Sequence, residues 1–202
     1  MTSNAPAQHS SDPLAGAVLA AASVLSVFVM AHHPTNAGQV ALANLVHGAL
    51  MILLLFVFTG FARFAARLGL ARFWVLTGMI FYGAAACGNL LAATINGFAV
   101  PALAAREPAL SKDIFRLAWE LNQALAYAAV YAVSVAFILW GADLISRKRA
   151  FAGLAGLAAG GVPAALLTTG ALDMHVAGAF AVYALQAAFG LIIGILMMRG
   201  KV

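Results

Sequence analysis

The chain has 202 residues, of which 64% are hydrophobic and only 8% charged, with a formal net charge of +5 and a mean hydropathy of +0.99. A soluble domain keeps about a quarter of its residues charged to solvate its surface, so a water-facing globule is excluded and lipid must cover most of this surface. Nucleic acid is not an expected partner either, because the basic residues stand in short clusters between apolar runs instead of tracking one face.

Residues 1–12, MTSNAPAQHSSD, are small, polar and Pro-containing, and read as a disordered cytoplasmic tail in which His9 has no role. No Lys or Arg precedes the run that follows, so the positive region of a signal peptide is missing and this run reads as a retained first span. A hydrocarbon core of about 30 Å needs roughly 20 apolar residues per helix. Stretches 13–32, 39–66, 71–100, 113–144, 150–169 and 174–198 meet or approach that requirement. The breaks between them (HHPTNAG, ARLGLA, PALAAREPALSK, SRKRA and GALDM) are short enough for antiparallel helix hairpins. The expected fold class is therefore all-α: one polytopic membrane domain over 13–202, built as a six-helix transmembrane bundle. The shorter alternating segments of a β-barrel are missing from the pattern.

Charge sets the expected orientation. Arg63, Arg67 and Arg72, then Arg147, Lys148 and Arg149, then Arg199 and Lys201, fall on one side of a six-span layout, which the positive-inside rule makes cytoplasmic. The other side carries Arg106, Lys112 and Arg116, interleaved with Glu107 and Asp113. Both termini are then inside and HHPTNAG is outside. Within the spans, GAAACG and GLAGLAAGG are small-residue runs that let helix backbones approach closely. Cys87 reads as a small buried side chain, and Pro163, preceded by two glycines, as a kink or discontinuity in span five.

Polar residues inside apolar runs carry the functional expectation, since an unpartnered polar group in lipid costs several kcal/mol and turns inward. His47 and Glu120 each lie about eight residues, or roughly 12 Å, into spans that start from the same side. They are expected at similar depth, with Asn44 on the face of His47. Arg116, Glu120, Gln123, Tyr127, Tyr131 and Ser134 follow the helical period in span four. Tyr82, Asn89 and Asn96 make a stripe in span three, and His175, Tyr183 and Gln186 one in span six.

These stripes predict an outward-opening polar pocket that binds or translocates a small ligand or protons, with His47, Glu120, Asn44, Asn89, Gln123 and Tyr127 as ligand or proton-relay residues. Against this stands the bland alternative, in which Glu120 pairs with Arg116 one turn away. A second function class is a membrane-embedded zinc-type hydrolase with His32, His33, Asp173 and His175 as metal ligands. No HExxH motif accompanies those residues, and Asp173 could instead cap the sixth helix. Haem held by His47 and His175 ranks below zinc, because their depths differ by about 10 Å. No GxSxG context supports a nucleophilic serine. The third class is a non-catalytic scaffold or subunit, so a homo-oligomer or a partner membrane subunit enters beside the lipid bilayer. As a whole the chain resembles small bacterial six-helix inner-membrane proteins, which implies a bacterial inner (cytoplasmic) membrane and assigns no site residue.

Overall fold

A computed structural model describes residues 12–34, 39–106 and 111–202; residues 1–11 of the tail expected over 1–12 and parts of the first and third breaks between spans lie outside them. Among the described residues the chain is all-helical, with six stretches long and apolar enough to cross a membrane. They are α1 (Asp12–Met30), α2 (Val40–Leu68), a third span of α3 (Phe73–Thr94), a π turn (Ile95–Ala99) and α4 (Val100–Ala104), then α5 (Lys112–Ser146), α6 (Ala150–Thr168) and α7 (Val176–Met198). The protein is thus a multi-pass membrane protein. Large apolar side chains on the outer surface, such as Leu45, Ile52, Phe73 and Phe151, meet lipid.

Each span packs on the one before and the one after it, and α7 closes back onto α1. The six therefore form a ring in chain order. Antiparallel neighbours follow from the short turns and are visible at the seams. A Cβ on Gly194 would lie 2.6 Å from the Gly16 carbonyl oxygen, which joins the start of α1 to the end of α7. A Cβ on Gly141 would lie 2.7 Å from the Gly153 carbonyl oxygen, joining the end of α5 to the start of α6. Only glycine permits backbones this close, and in lipid such packing substitutes for hydrophobic drive.

The two ends of the ring differ in chemistry. At the arginine end, Asp12 pairs with Arg63 at 3.0 Å and Arg67 at 3.5 Å, so the residue expected to end the tail is instead the first of α1. Asp143, with its side chain 1% exposed, holds Arg72 and Arg147 at 2.7 Å each. Arg147 also donates to the Leu68 carbonyl, so the α2–α3 turn is fastened to the end of α5. The opposite end, called here the histidine end, carries His32, His33 and the 169–175 turn.

Three expectations about the spans need correction. Helix α6 runs unbroken through Pro163, which is buried; the irregular backbone sits instead in span three, at the π turn. Membrane helices tolerate proline because neighbouring groups re-satisfy the one freed carbonyl. Cys87 is exposed on the outer surface, since the inward face of α3 is the one carrying Tyr82, Ala85 and Ala86. Finally, α5 has 35 residues, about 52 Å at 1.5 Å per residue, longer than a hydrocarbon crossing needs, so counting residues from its first turn does not give depth.

The Asp143 network gives a direct test. Asp143→Asn leaves two guanidinium groups without their shared buried anion, and the half-exposed arginines soften that loss to roughly 1–3 kcal/mol. Thermal unfolding in detergent should shift down for this variant, and an unchanged transition would mean that the network contributes nothing to the arginine end.

Candidate functional site: a one-ended cavity inside the ring

Six helices in a ring leave a hole along the axis, and the side chains that fill it change halfway. Toward the arginine end the hole is plugged by rings. Phe61, 1% exposed, stands at the hub, with ring centroids 4.9 Å from Tyr82, 5.2 Å from Phe137, 5.6 Å from Trp140 and 5.9 Å from Phe189. Phe64 packs edge-on against Trp140, and Trp140 donates its indole N–H to the Val75 carbonyl at 3.2 Å. Such offset and tilted ring pairs add to simple area burial.

Toward the histidine end the fillers become short and polar, and a cavity of about 230 Å³ remains. Phe61, Tyr82 and Phe137 form its floor, Leu50, Leu54 and Val57 an apolar wall, and Trp119 and Val176, both partly exposed, its rim. Its polar lining is amide, hydroxyl and imidazole: Asn89 and Asn96 from span three, Asn122 and Gln123 from α5, Gln186 from α7, Ser23 and Ser26 from α1, His33 from the turn after α1, and His47 from α2. No Asp, Glu, Lys or Arg lines it among the described residues.

Local structure fixes each group. His47, 5% exposed, uses its Nδ1–H to donate to the Ala43 carbonyl one turn back at 2.8 Å, which leaves Nε2 as the acceptor of the neutral ring. Its ring lies edge-on to His33, centroids 5.0 Å apart, and His33 Nδ1 bonds the Pro34 carbonyl at 3.0 Å. Behind His47 stands Gly97 in the π turn, where a Cβ would overlap the histidine Cβ. The extra residue in a π turn re-phases a helix and is found often at functional sites; here Asn96 of that turn lines the cavity and Gly97 lies against His47. Across the ring, Tyr183 on α7 donates its hydroxyl to Asn89 Oδ1 on α3 at 2.8 Å. These helices are not ring neighbours, so this bond is a strut through the interior.

Of the residues expected to form the site, His47, Asn89 and Gln123 line the cavity. Tyr82, Asn89 and Asn96 all face it, as do Tyr183 and Gln186. Glu120, Asn44 and Tyr127 do not. Glu120 is exposed, on a helix face turned away from the one that carries Trp119, Asn122 and Gln123 to the cavity. Asn44 is exposed, and Tyr127 packs in a smaller core with Met174, Ala179 and Val182. The inward face of α5 is Trp119, Asn122, Gln123, Ala126 and Val133, turned from the expected stripe by about one residue. Asn122 and Ser23 were therefore missed. Their signal was the row of small residues below Asn122 (Ala126, Ala129, Val133), which marks the face that packs inward.

The expected metal ligands lie apart, and no group of three His, Cys, Asp or Glu side chains gathers among the described residues. His32 is exposed, its Nδ1 bonding the Phe28 carbonyl and its ring against Phe28; only His33 reaches the cavity. Asp173 and His175 satisfy each other. The Asp173 carboxylate accepts from the His175 ring at 2.8 Å and from its backbone N–H at 3.0 Å, which holds the carboxyl below the usual carboxylate range. Comparison with protein-family models, curated proteins and solved structures finds no match for this chain.

Two outcomes follow from these placements. Gly97→Ala should crowd His47 and cost roughly 1–3 kcal/mol, read as a lower unfolding temperature together with a perturbed His47 imidazole resonance; a neutral effect on both would mean that the π turn does not support the ring. Because the Asp173 carboxyl is depressed, its contact is complete above the ordinary carboxylate range and is lost as pH falls through its own lower midpoint. An NMR titration should therefore show the Asp173 midpoint rising in His175→Ala, and an unmoved midpoint would remove His175 as the cause.

Proposed function

We propose that this protein binds a small ligand from the histidine end of a six-span bundle, in a bacterial inner membrane, with both termini cytoplasmic and the histidine end outside. The orientation rests on the basic residues, of which Arg63, Arg67, Arg72 and Arg147 stand at the end away from the cavity. The binding reading rests on one observation: the axial hole is lined by amides, hydroxyls and imidazoles in one half and sealed by packed rings in the other. A polar lining that lipid cannot solvate is retained where something else solvates it.

Translocation would require the rings packed around Phe61 to part. The hydrolase reading has no gathered ligand set among the described residues. The Glu120 proton relay lacks its second partner, because Glu120 stands outside the cavity that His47 lines. A scaffold role explains the glycine seams but not the hollow half.

Cysteine accessibility tests the proposal. In a Cys87→Ser background, Gln123→Cys should react with a small neutral thiol reagent, while Phe189→Cys, within the plug, should not. An impermeant reagent on intact cells should modify Ala171→Cys and spare Arg149→Cys until the membrane is opened. A folded, monodisperse Gln123→Cys protein that stays unreactive would overturn the cavity reading; Asn96→Cys gives the same readout from span three. The reversed labelling of 171 and 149 would overturn the orientation.

A further inference from the structure

Several polar groups around the cavity have partners: His47 with Ala43, His33 with Pro34, Ser26 with Ala22, and Tyr183 with Asn89. Among the polar atoms that have none, two are fully enclosed. Ser23 Oγ, on a side chain 1% exposed, and Gln186 Nε2 are both buried without a hydrogen-bond partner, and both residues line the cavity. They belong to adjacent helices, α1 and α7. Ser23 rests against Gly190, one turn beyond Gln186, so the two groups share one wall within about a helical turn, roughly 5 Å. A buried orphan of this kind gives up its hydrogen bonds to water and gains none in exchange. Both can donate a proton, and a primary amide nitrogen can only donate.

The rest of the lining sets the remaining limits. With no Asp, Glu, Lys or Arg on the wall among the described residues, an ionic ligand would lose its hydration without gaining a strong counter-charge. The volume of about 230 Å³ is below the range of drug-sized sites, so it holds one small molecule and no two-chain lipid. The floor of Phe61, Tyr82 and Phe137 offers ring faces and edges to a flat partner.

Resting on the binding reading above, we infer that the cavity takes a small, uncharged, largely apolar carbonyl compound, aromatic or quinone-like in shape, whose oxygen is held by Gln186 Nε2 and Ser23 Oγ. The carbonyl accepts from one or both donors, and the ring lies over the aromatic floor. Binding alone is proposed, and no bond is made or broken.

The test uses the Gln123→Cys, Cys87→Ser protein in lipid nanodiscs and four probes of one size: acetophenone, ethylbenzene, benzoate and benzylammonium. Acetophenone should slow thiol modification saturably, ethylbenzene more weakly, and the two ions not at all. Adding Gln186→Leu should raise the acetophenone concentration for half-protection roughly three- to tenfold and bring it level with ethylbenzene. Ser23→Ala, which removes only a hydroxyl, should act in the same direction and gives a second arm if Gln186→Leu does not fold. Equal protection by acetophenone and ethylbenzene, stronger protection by either ion, or no protection of a reactive cysteine would each overturn the ligand class while leaving the cavity in place. An unreactive cysteine instead strikes the binding reading itself.

Discussion

A ring of six helices cannot close on itself without a hole, and the rest of this structure depends on what fills that hole. Over half its height the filler is a set of rings around Phe61, contributed by α2, α3, α5 and α7. Through these rings α2, α5 and α7 touch helices they do not border in the ring. The plug therefore holds the bundle across its diameter, while the glycine seams hold it around its circumference. Dispersion and ring geometry can do this in lipid, where expulsion of apolar surface from water contributes little between helices.

Where the rings stop, the axis still has to be bridged, and the Tyr183–Asn89 bond does so with a polar strut. The π turn in span three belongs to the same problem. Without its extra residue, Asn96 and the smooth face at Gly97 would be rotated away from His47. A buried imidazole with a fixed tautomer, a bulge behind it and an interior strut beneath it make the hollow half as ordered as the plugged half. Its shape is set by backbone and hydrogen bonds more than by close packing.

Much of this was legible in the residues. Span number, order and limits follow from hydropathy alone, and most boundaries fall within two or three residues of those expected. The inward stripe of span three was readable because Tyr82, Asn89 and Asn96 are its inward polar groups, spaced at two helical turns. In α5 the same logic failed. Polar residues lie on two faces there, because the first turns of a 35-residue helix reach beyond the hydrocarbon and can carry Lys112, Arg116 and Glu120 in water or headgroups. Periodicity cannot separate a polar face that meets headgroups from one that meets a cavity; only the level of the bilayer along the helix can. The ring order, the plug and the π turn were not readable, since they depend on which faces meet across the axis.

The unequal span lengths carry a mechanical consequence. α1 and α6 have 19 residues each, whereas α2 has 29 and the third and fourth spans 32 and 35. At 1.5 Å per residue the short pair measures about 28 Å, close to the thickness of the acyl region. They have no slack for tilt, so they act as the gauge against which the surrounding leaflets adjust, while the longer helices can lean or protrude. A thicker membrane would strain the lipid around α1 and α6 first, and the seams these two helices make, the α1–α7 seam with Ser23 and Gln186 among them, would feel that mismatch.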